Sequence, residues 1–226
     1  MAALPRKSAR PGISPEYSAQ PTTARPNPML VTCIGHLNEQ GASTKRIADQ
    51  GCGRLRHLAT LLGPCQKLLL VDTEIQLFRS QAIAGVQTTI REYIARFVPP
   101  DGKTVRVMSC AEFADGALRL DAIFSVATMD VVLPETRKLM VRHASQNLAR
   151  GGHYVVVIPR NDSSILRRCT PKAAFSDGYV FDHHGVRTFY RNFVSLDDLL
   201  QVARRSGLSL EADLSRHKQV GLVFRR

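Results

Sequence analysis

Arg46-Ile-Ala-Asp-Gln-Gly-Cys-Gly53 and, after it, Leu68-Leu-Leu-Val-Asp72 decide how this chain is read. The first stretch is an apolar strand that ends in Asp49 and breaks into a turn with glycines at 51 and 53. A turn without Cβ atoms lets backbone approach a ligand closely. The second stretch is apolar throughout, as a strand covered on both faces should be, and it ends in a carboxylate. Asp72 stands 21 residues after Gly51. That spacing places an acid at the tip of the next parallel strand, where it can accept hydrogen bonds from a ribose diol. Together the two stretches outline a nucleoside-cofactor pocket.

The flanking chain alternates regularly. Met29 to Leu37 leads as a short helix or loop into a first strand, Lys45 to Asp49. A helix over Arg54 to Leu62 stops at Gly63-Pro64, and Lys67 to Asp72 is the second strand. Ile83, Val86, Ile90, Ile94 and Phe97 have helical spacing and predict one helix over Ile75 to Val98, ended by Pro99-Pro100-Asp101-Gly102. Val105 to Met108 and Asp121 to Val126 are the third and fourth strands. A helix over Glu135 to Ala149, terminated by Gly151-Gly152, precedes a fifth strand, His153 to Ile158. Ser195-x-x-Asp198 caps a helix reaching Ser206, and Leu208 to Leu214 and Gln219 to Phe224 are the last strands. Strands alternating with helices predict an α/β fold, Rossmann-like and doubly wound, with helices on both faces of a mostly parallel sheet.

A chain of 226 residues suits one such domain. Its five cysteines are an odd number without a C-x-x-C pair, which points to a reducing, cytoplasmic setting and to neither a disulfide framework nor a metal site. No apolar run approaches the ~18 residues of a membrane span. Residues 1–28 are rich in Pro, Ala, Ser and Arg, with Glu16 as the single acid, and read as a disordered basic tail ahead of a domain over 29–226. An arginine-bearing, acid-poor start also fits an organelle transit peptide, although Pro5, Pro11 and Pro15 would interrupt the amphipathic helix that such a peptide uses. Of the formal charge of +12, the tail holds +3 and the remainder +9. A basic surface of that size attracts nucleic acid, but the cations are scattered and no aromatic-interleaved basic motif stands out.

The turn itself discriminates between cofactors. A dinucleotide fingerprint, G-x-G-x-x-G, would need a third glycine where Arg56 stands. The chain instead carries D-x-G-x-G and so resembles the class I S-adenosylmethionine-dependent methyltransferases, whose first motif is an apolar strand followed by these residues. It departs from the pattern at Gln50, a usually apolar position, and at Leu55, where a third glycine is frequent. The resemblance spans about Ile47 to Phe224 and implies a seven-stranded sheet whose last strand is antiparallel. It implies S-adenosyl-L-methionine as cofactor, held by Asp49, Gly51, Cys52, Gly53, Asp72, Thr73, Cys110, Ala111, Glu112 and Ser125. Asp72 would bind the ribose, and Cys110 and Glu112 would meet the adenine. After the fourth strand, Ser125, Thr128 and Asp130 would stand beside the transferable methyl group.

Residues 163–193 form a long irregular stretch, and insertions of this kind are commonly lids or binding loops. In methyltransferases such insertions choose the acceptor. His183 or His184 could take a proton from an acceptor hydroxyl or amine, and Tyr190 could orient it. An exposed turn and core aromatics are the structural alternative for these three. The chain lacks the Pro-Pro-aromatic tetrapeptide of amino-methylating DNA enzymes, and Pro64-Cys65 lies far from the predicted catalytic edge. The resulting expectation is methyl transfer to an oxygen or nitrogen nucleophile of a small molecule. An RNA or DNA methyltransferase, a non-catalytic binding module of the same fold, and a nicotinamide or flavin oxidoreductase are the alternatives.

Overall fold

A computed structural model describes Ala19, Thr22 and residues 25–98, 102–160, 173–175, 178–183, 187–192 and 195–226. Leu68 to Val71 are all buried, and the reason is their place in the sheet. β1 (Arg46–Gln50) and β2 (Lys67–Asp72) pair in parallel, with Asp49 beside Leu70. β5 (Thr104–Ser109) pairs in parallel with the free edge of β2, and β6 (Leu120–Val126) with that of β1. β7 (Leu148–Pro159) continues in parallel beyond β6. The hairpin of β11 (Ser209–Asp213) and β12 (Gln219–Arg225) then closes the sheet, with β12 antiparallel to β7. The order is β11-β12-β7-β6-β1-β2-β5, so the chain winds one way from β1 through β5 and the other way from β6 onward.

Alternation along the strands makes two cores. Ile47, Leu68, Leu70, Val155 and Val157 face one layer with α1 (Pro28–Glu39), α2 (Leu58–Leu62) and α4 (Ile90–Phe97). Ala48, Leu69, Val71, Tyr154 and Val156 face the other, with α5 (Cys110–Ala114), α6 (Pro134–Asn147) and α7 (Leu196–Arg205). No helix among the described residues is long and apolar enough to cross a membrane.

Several expectations fail, the helix over Arg54 to Leu62 among them, since only Leu58–Leu62 is helical there. The helix expected over 75–98 is three elements: α3 (Glu74–Phe78), a hairpin of β3 (Gln81–Ile83) and β4 (Val86–Thr88), and α4. Ala84 and Gly85 turn the hairpin with φ of 48° and 84°, a two-residue reversal that no helix admits. Thr89 and Glu92 then start α4 with a reciprocal capping box. Ile83, Ile90 and Ile94 are buried all the same, so the helical spacing reports burial from two different elements. Gly151-Gly152 likewise sits inside β7 rather than ending a helix. The register shifts between Leu120 and Ala122 at this point, and a Cβ on Gly152 would lie 2.8 Å from the Leu120 carbonyl oxygen.

The stretch expected to be irregular contains a separate three-stranded antiparallel sheet, β8 (Ala173–Phe175), β9 (Gly178–His183) and β10 (Arg187–Asn192).

Candidate functional site

The strand order reverses on either side of β1, and an open α/β sheet leaves a crevice at such a point, beyond the carboxyl ends of its strands. A cavity of about 400 Å³ fills it, within the range of small-ligand sites. Gly51, Cys52 and Gly53, Asp72 at the end of β2 with Thr73 after it, and Cys110 at the start of α5 line one half. Thr128, Asp130 and Val131 after β6, Pro159 of β7 and Gln219 of β12 line the other.

Gly51 has φ +88°, and a Cβ there would stand 2.3 Å from Thr128 Oγ1. The turn and the loop after β6 therefore close on each other only around a glycine. Gly53 and Thr73 each donate a backbone N–H at 2.8 Å to the Asp72 carboxylate, one to each oxygen. These bonds hold the carboxylate at the cavity. Thr73 Oγ1 also caps α3 by accepting from Gln76 N–H, and the Gln76 amide donates to the Gly53 carbonyl at 2.6 Å. The turn is thus clamped from both sides.

The two departures from the methyltransferase pattern have structural explanations. Leu55 takes φ +62°, in the left-handed region that favours glycine, and its side chain is 1% exposed in the core. Gln50 is a buried cross-link: its amide donates to the Met140 carbonyl at 3.1 Å, and its oxygen accepts from the Tyr154 hydroxyl at 3.0 Å.

Asp49 lies under the turn at 1% exposure, and neither of its carboxylate oxygens has a partner among the described residues. Burial first, and the charge of Asp72 second, push its carboxyl up to about 7. Burial, followed by Asp72 and Asp49, also raises the Cys52 thiol well above its ordinary range. Burial and then Asp72 push Cys110 up to about 12, so both thiols are protonated at neutral pH. Beyond the turn, Arg54 and His57 line the cavity. Arg54 Nε and His57 Nδ1 are sealed from water without a partner among the described residues. Burial, then the charge of Arg56, lowers His57 to about 4 and keeps its imidazole neutral.

The amino-terminal stretch meets this turn. Arg56 Nε and Nη2 donate to the Arg25 carbonyl at 2.8 and 2.5 Å, and Thr22 Oγ1 donates to the Arg54 carbonyl at 2.5 Å. Ala19 and Asn27 line the cavity, and Asn27 caps α1 through its side chain.

Of the residues singled out from sequence, Gly51, Cys52, Gly53, Asp72, Thr73, Cys110 and Asp130 meet at the cavity, with Asp49 behind the turn. Ala111, Glu112 and Ser125 do not line it. The Glu112 carboxylate instead accepts from Ser109 N–H at 2.6 Å in the capping box of α5 and lies 3.8 Å from Arg91. Ser125 is fully buried in β6. His183 and Tyr190 fall in β9 and β10, while His184 lies outside the described residues. Arg54, His57, Asn27 and Met140 were missed. Only Asn27 carried a local signal, as a capping residue directly before Pro28.

No protein-family model matches the chain. The uncharacterised protein YmfD of Escherichia coli K12 is 22% identical over 184 residues, covering 79% of this chain and 76% of that protein. A Methanosarcina mazei S-adenosylmethionine-dependent methyltransferase superposes with a TM-score of 0.61 at 12% identity, over 90% of this chain and 99% of the other. Magnesium protoporphyrin IX methyltransferase from Synechocystis, with bound S-adenosylhomocysteine, gives 0.58 at 12%, over 88% and 82%. The 1,6-didemethyltoxoflavin-N1-methyltransferase of Burkholderia thailandensis, with its substrate and S-adenosylhomocysteine bound, gives 0.56 at 14%, over 88% and 77%. The chain has the fold of the class I S-adenosylmethionine-dependent methyltransferases, with the seven-stranded order and the single antiparallel strand that the sequence resemblance implied.

Proposed function

We propose that this chain is an S-adenosylmethionine-dependent methyltransferase acting on an oxygen or nitrogen nucleophile of a small molecule. The observation that carries this reading is the pair of backbone N–H bonds fixing Asp72 beside the Cβ-free turn at the switch point of the sheet. The residues fit a cationic nucleoside. Asp72 offers its carboxylate to the ribose hydroxyls, and the turn admits a ligand chain close to its backbone. Asp72 and Asp130 line the cavity with carboxylates that suit the positive sulfonium and ammonium groups, and Asp49 lies buried behind the turn. When bound, the cofactor supplies a methyl group already activated on sulfur, so the chain has mainly to hold the acceptor in line and exclude water.

The half of the cavity over β6 and β7 favours a small acceptor, because Val131, Val132, Met140 and Pro159 wall it with apolar surface. Residues 163–193 are the acceptor-side insertion in this reading, with His183, His184 and Tyr190 as candidates for proton removal and orientation and Asp130, after β6, as a further candidate. Residues 1–28 precede the catalytic domain over 29–226.

Isothermal titration with S-adenosylmethionine, S-adenosylhomocysteine and NAD tests the reading. The two sulfur nucleosides should bind and NAD should not. Asp72→Ala should lower their affinity ~10- to 100-fold, since a hydrogen bond to a charged group contributes about 1.5–3 kcal/mol. Binding of NAD alone, or of none of the three by folded protein, would refute it.

A further inference from the structure

We propose that Gln76 is a positioning residue for the cofactor turn, and that the β3–β4 hairpin belongs to the cofactor site because Gln81 and Arg79 lock the Gln76 amide in place. The proposal rests on the methyltransferase reading above and adds to it a set of groups behind the cavity wall.

Its basis is a closed set of hydrogen bonds that ends at Gly53. The Gly53 N–H donates to Asp72 at 2.8 Å, and the Gly53 carbonyl accepts from the Gln76 amide at 2.6 Å. Gln76 is fully buried, and its amide also donates to Gln81 Oε1 at 3.0 Å. Arg79 Nη2 donates to both side-chain oxygens, at 2.9 Å to Gln76 and 3.1 Å to Gln81. The Gln81 amide donates back to the Gln76 carbonyl at 3.1 Å. Chemistry fixes the direction of these bonds. A carbonyl only accepts and a guanidinium only donates, so the Gln76 amide must turn its nitrogen to Gly53 and its oxygen to Arg79.

Gly53 needs such a hold. It has φ +55°, and a glycine is free to leave that conformation because no Cβ restricts it. Bonds on both sides of its Cα, to Asp72 and from Gln76, remove that freedom. Gln81 is 5% exposed and, unlike Gln76, does not line the cavity. It opens β3, where it pairs with Thr88 of β4. The hairpin therefore reaches the cofactor site indirectly: Gln81 holds Gln76, Gln76 holds Gly53, and Gly53 holds the Asp72 carboxylate. A buried polar network specifies one arrangement only while each member is satisfied. Without Gln81 the Gln76 amide loses its second acceptor and is released to turn away from Gly53.

Isothermal titration of the full chain with S-adenosylhomocysteine tests this, with urea midpoints measured on the same samples. Gln81→Met keeps the length of the side chain without its polar atoms and should weaken binding about 5- to 10-fold. Gln81→Glu keeps the oxygen to which Gln76 and Arg79 donate and should stay within about threefold of wild type. Gln76→Met should weaken binding about tenfold, and adding Gln81→Met should weaken it no further, because both act on one carbonyl. Ile83→Ala, buried on the same hairpin but outside the hydrogen-bond set, should lower the urea midpoint and leave affinity within about twofold. That contrast separates positioning from stability. If Gln81→Met does not fold, Arg79→Met carries the same expectation, since it takes a donor from both amide oxygens. Wild-type affinity in Gln81→Met, effects of Gln76 and Gln81 that multiply, or equal weakening by Ile83→Ala would each overturn the proposal alone. Wild type that binds no S-adenosylhomocysteine would overturn the methyltransferase reading and the proposal with it.

Discussion

Asp49→Asn is the most informative single change, because a near-isosteric residue removes one charge from beneath the turn. The carboxyl moves from 3.8 to about 7 on folding, through burial first and Asp72 second. The folded state therefore binds this proton more tightly than the unfolded state. Its stabilising contribution is complete below pH 3.8 and is lost as pH rises through 7. At about 1.4 kcal/mol per pH unit, the loss across that window is on the order of 4 kcal/mol. Asparagine does not titrate, so the variant should match wild type near pH 4 and exceed it increasingly towards pH 8. Urea unfolding of ligand-free protein, followed by circular dichroism at half-unit pH intervals, reads this as a stability difference that grows with pH. A difference constant from pH 4 to 8 would show that Asp49 is not strained by its burial.

Gly51→Ala should destabilise by about 2–5 kcal/mol, the sum of a left-handed penalty and an overpacking cost against Thr128. Adding Thr128→Gly in the same chain should return the steric share alone, and urea midpoints that do not recover would dismiss the clash. Leu55→Gly restores the frequent glycine and relieves ~1–2 kcal/mol of backbone strain, yet it should still lower stability, because a buried leucine is worth about 2–5 kcal/mol. A stabilised variant would invert that ranking. Gln50→Leu takes the Gln50 acceptor from the buried Tyr154 hydroxyl at a cost of about 1–3 kcal/mol, and Gln50→Leu with Tyr154→Phe should recover most of it. Additive effects in that double-mutant cycle would deny the bridge.

The parallel core was legible where burial and sequence period coincide. Lys67 to Asp72 is a strand over the residues expected, because a run of leucines and valine covered on both faces admits little else. The hairpin at 81–88 was not legible, since Ile83, Ile90 and Ile94 share one buried layer while lying on different elements. At the site, the glycines and Asp72 announced themselves by residue type and spacing. Glu112 misled, because a carboxylate three residues after Ser109 serves the helix start as well as it would an adenine.

By itself, then, the sequence determined the turn, the acid 21 residues beyond it and the succession of the main-sheet strands along the chain, all of which follow from local chemistry and period. Tertiary structure decided which distant groups share the cavity. Thr128 closes on Gly51 across 77 positions, and Gln50 reaches Met140 across 90 and Tyr154 across 104. It also decided which buried polar atoms have no partner among the described residues, those of Asp49, Arg54 and His57 included. Partners and burial are properties of packed neighbours, and no window of sequence contains them.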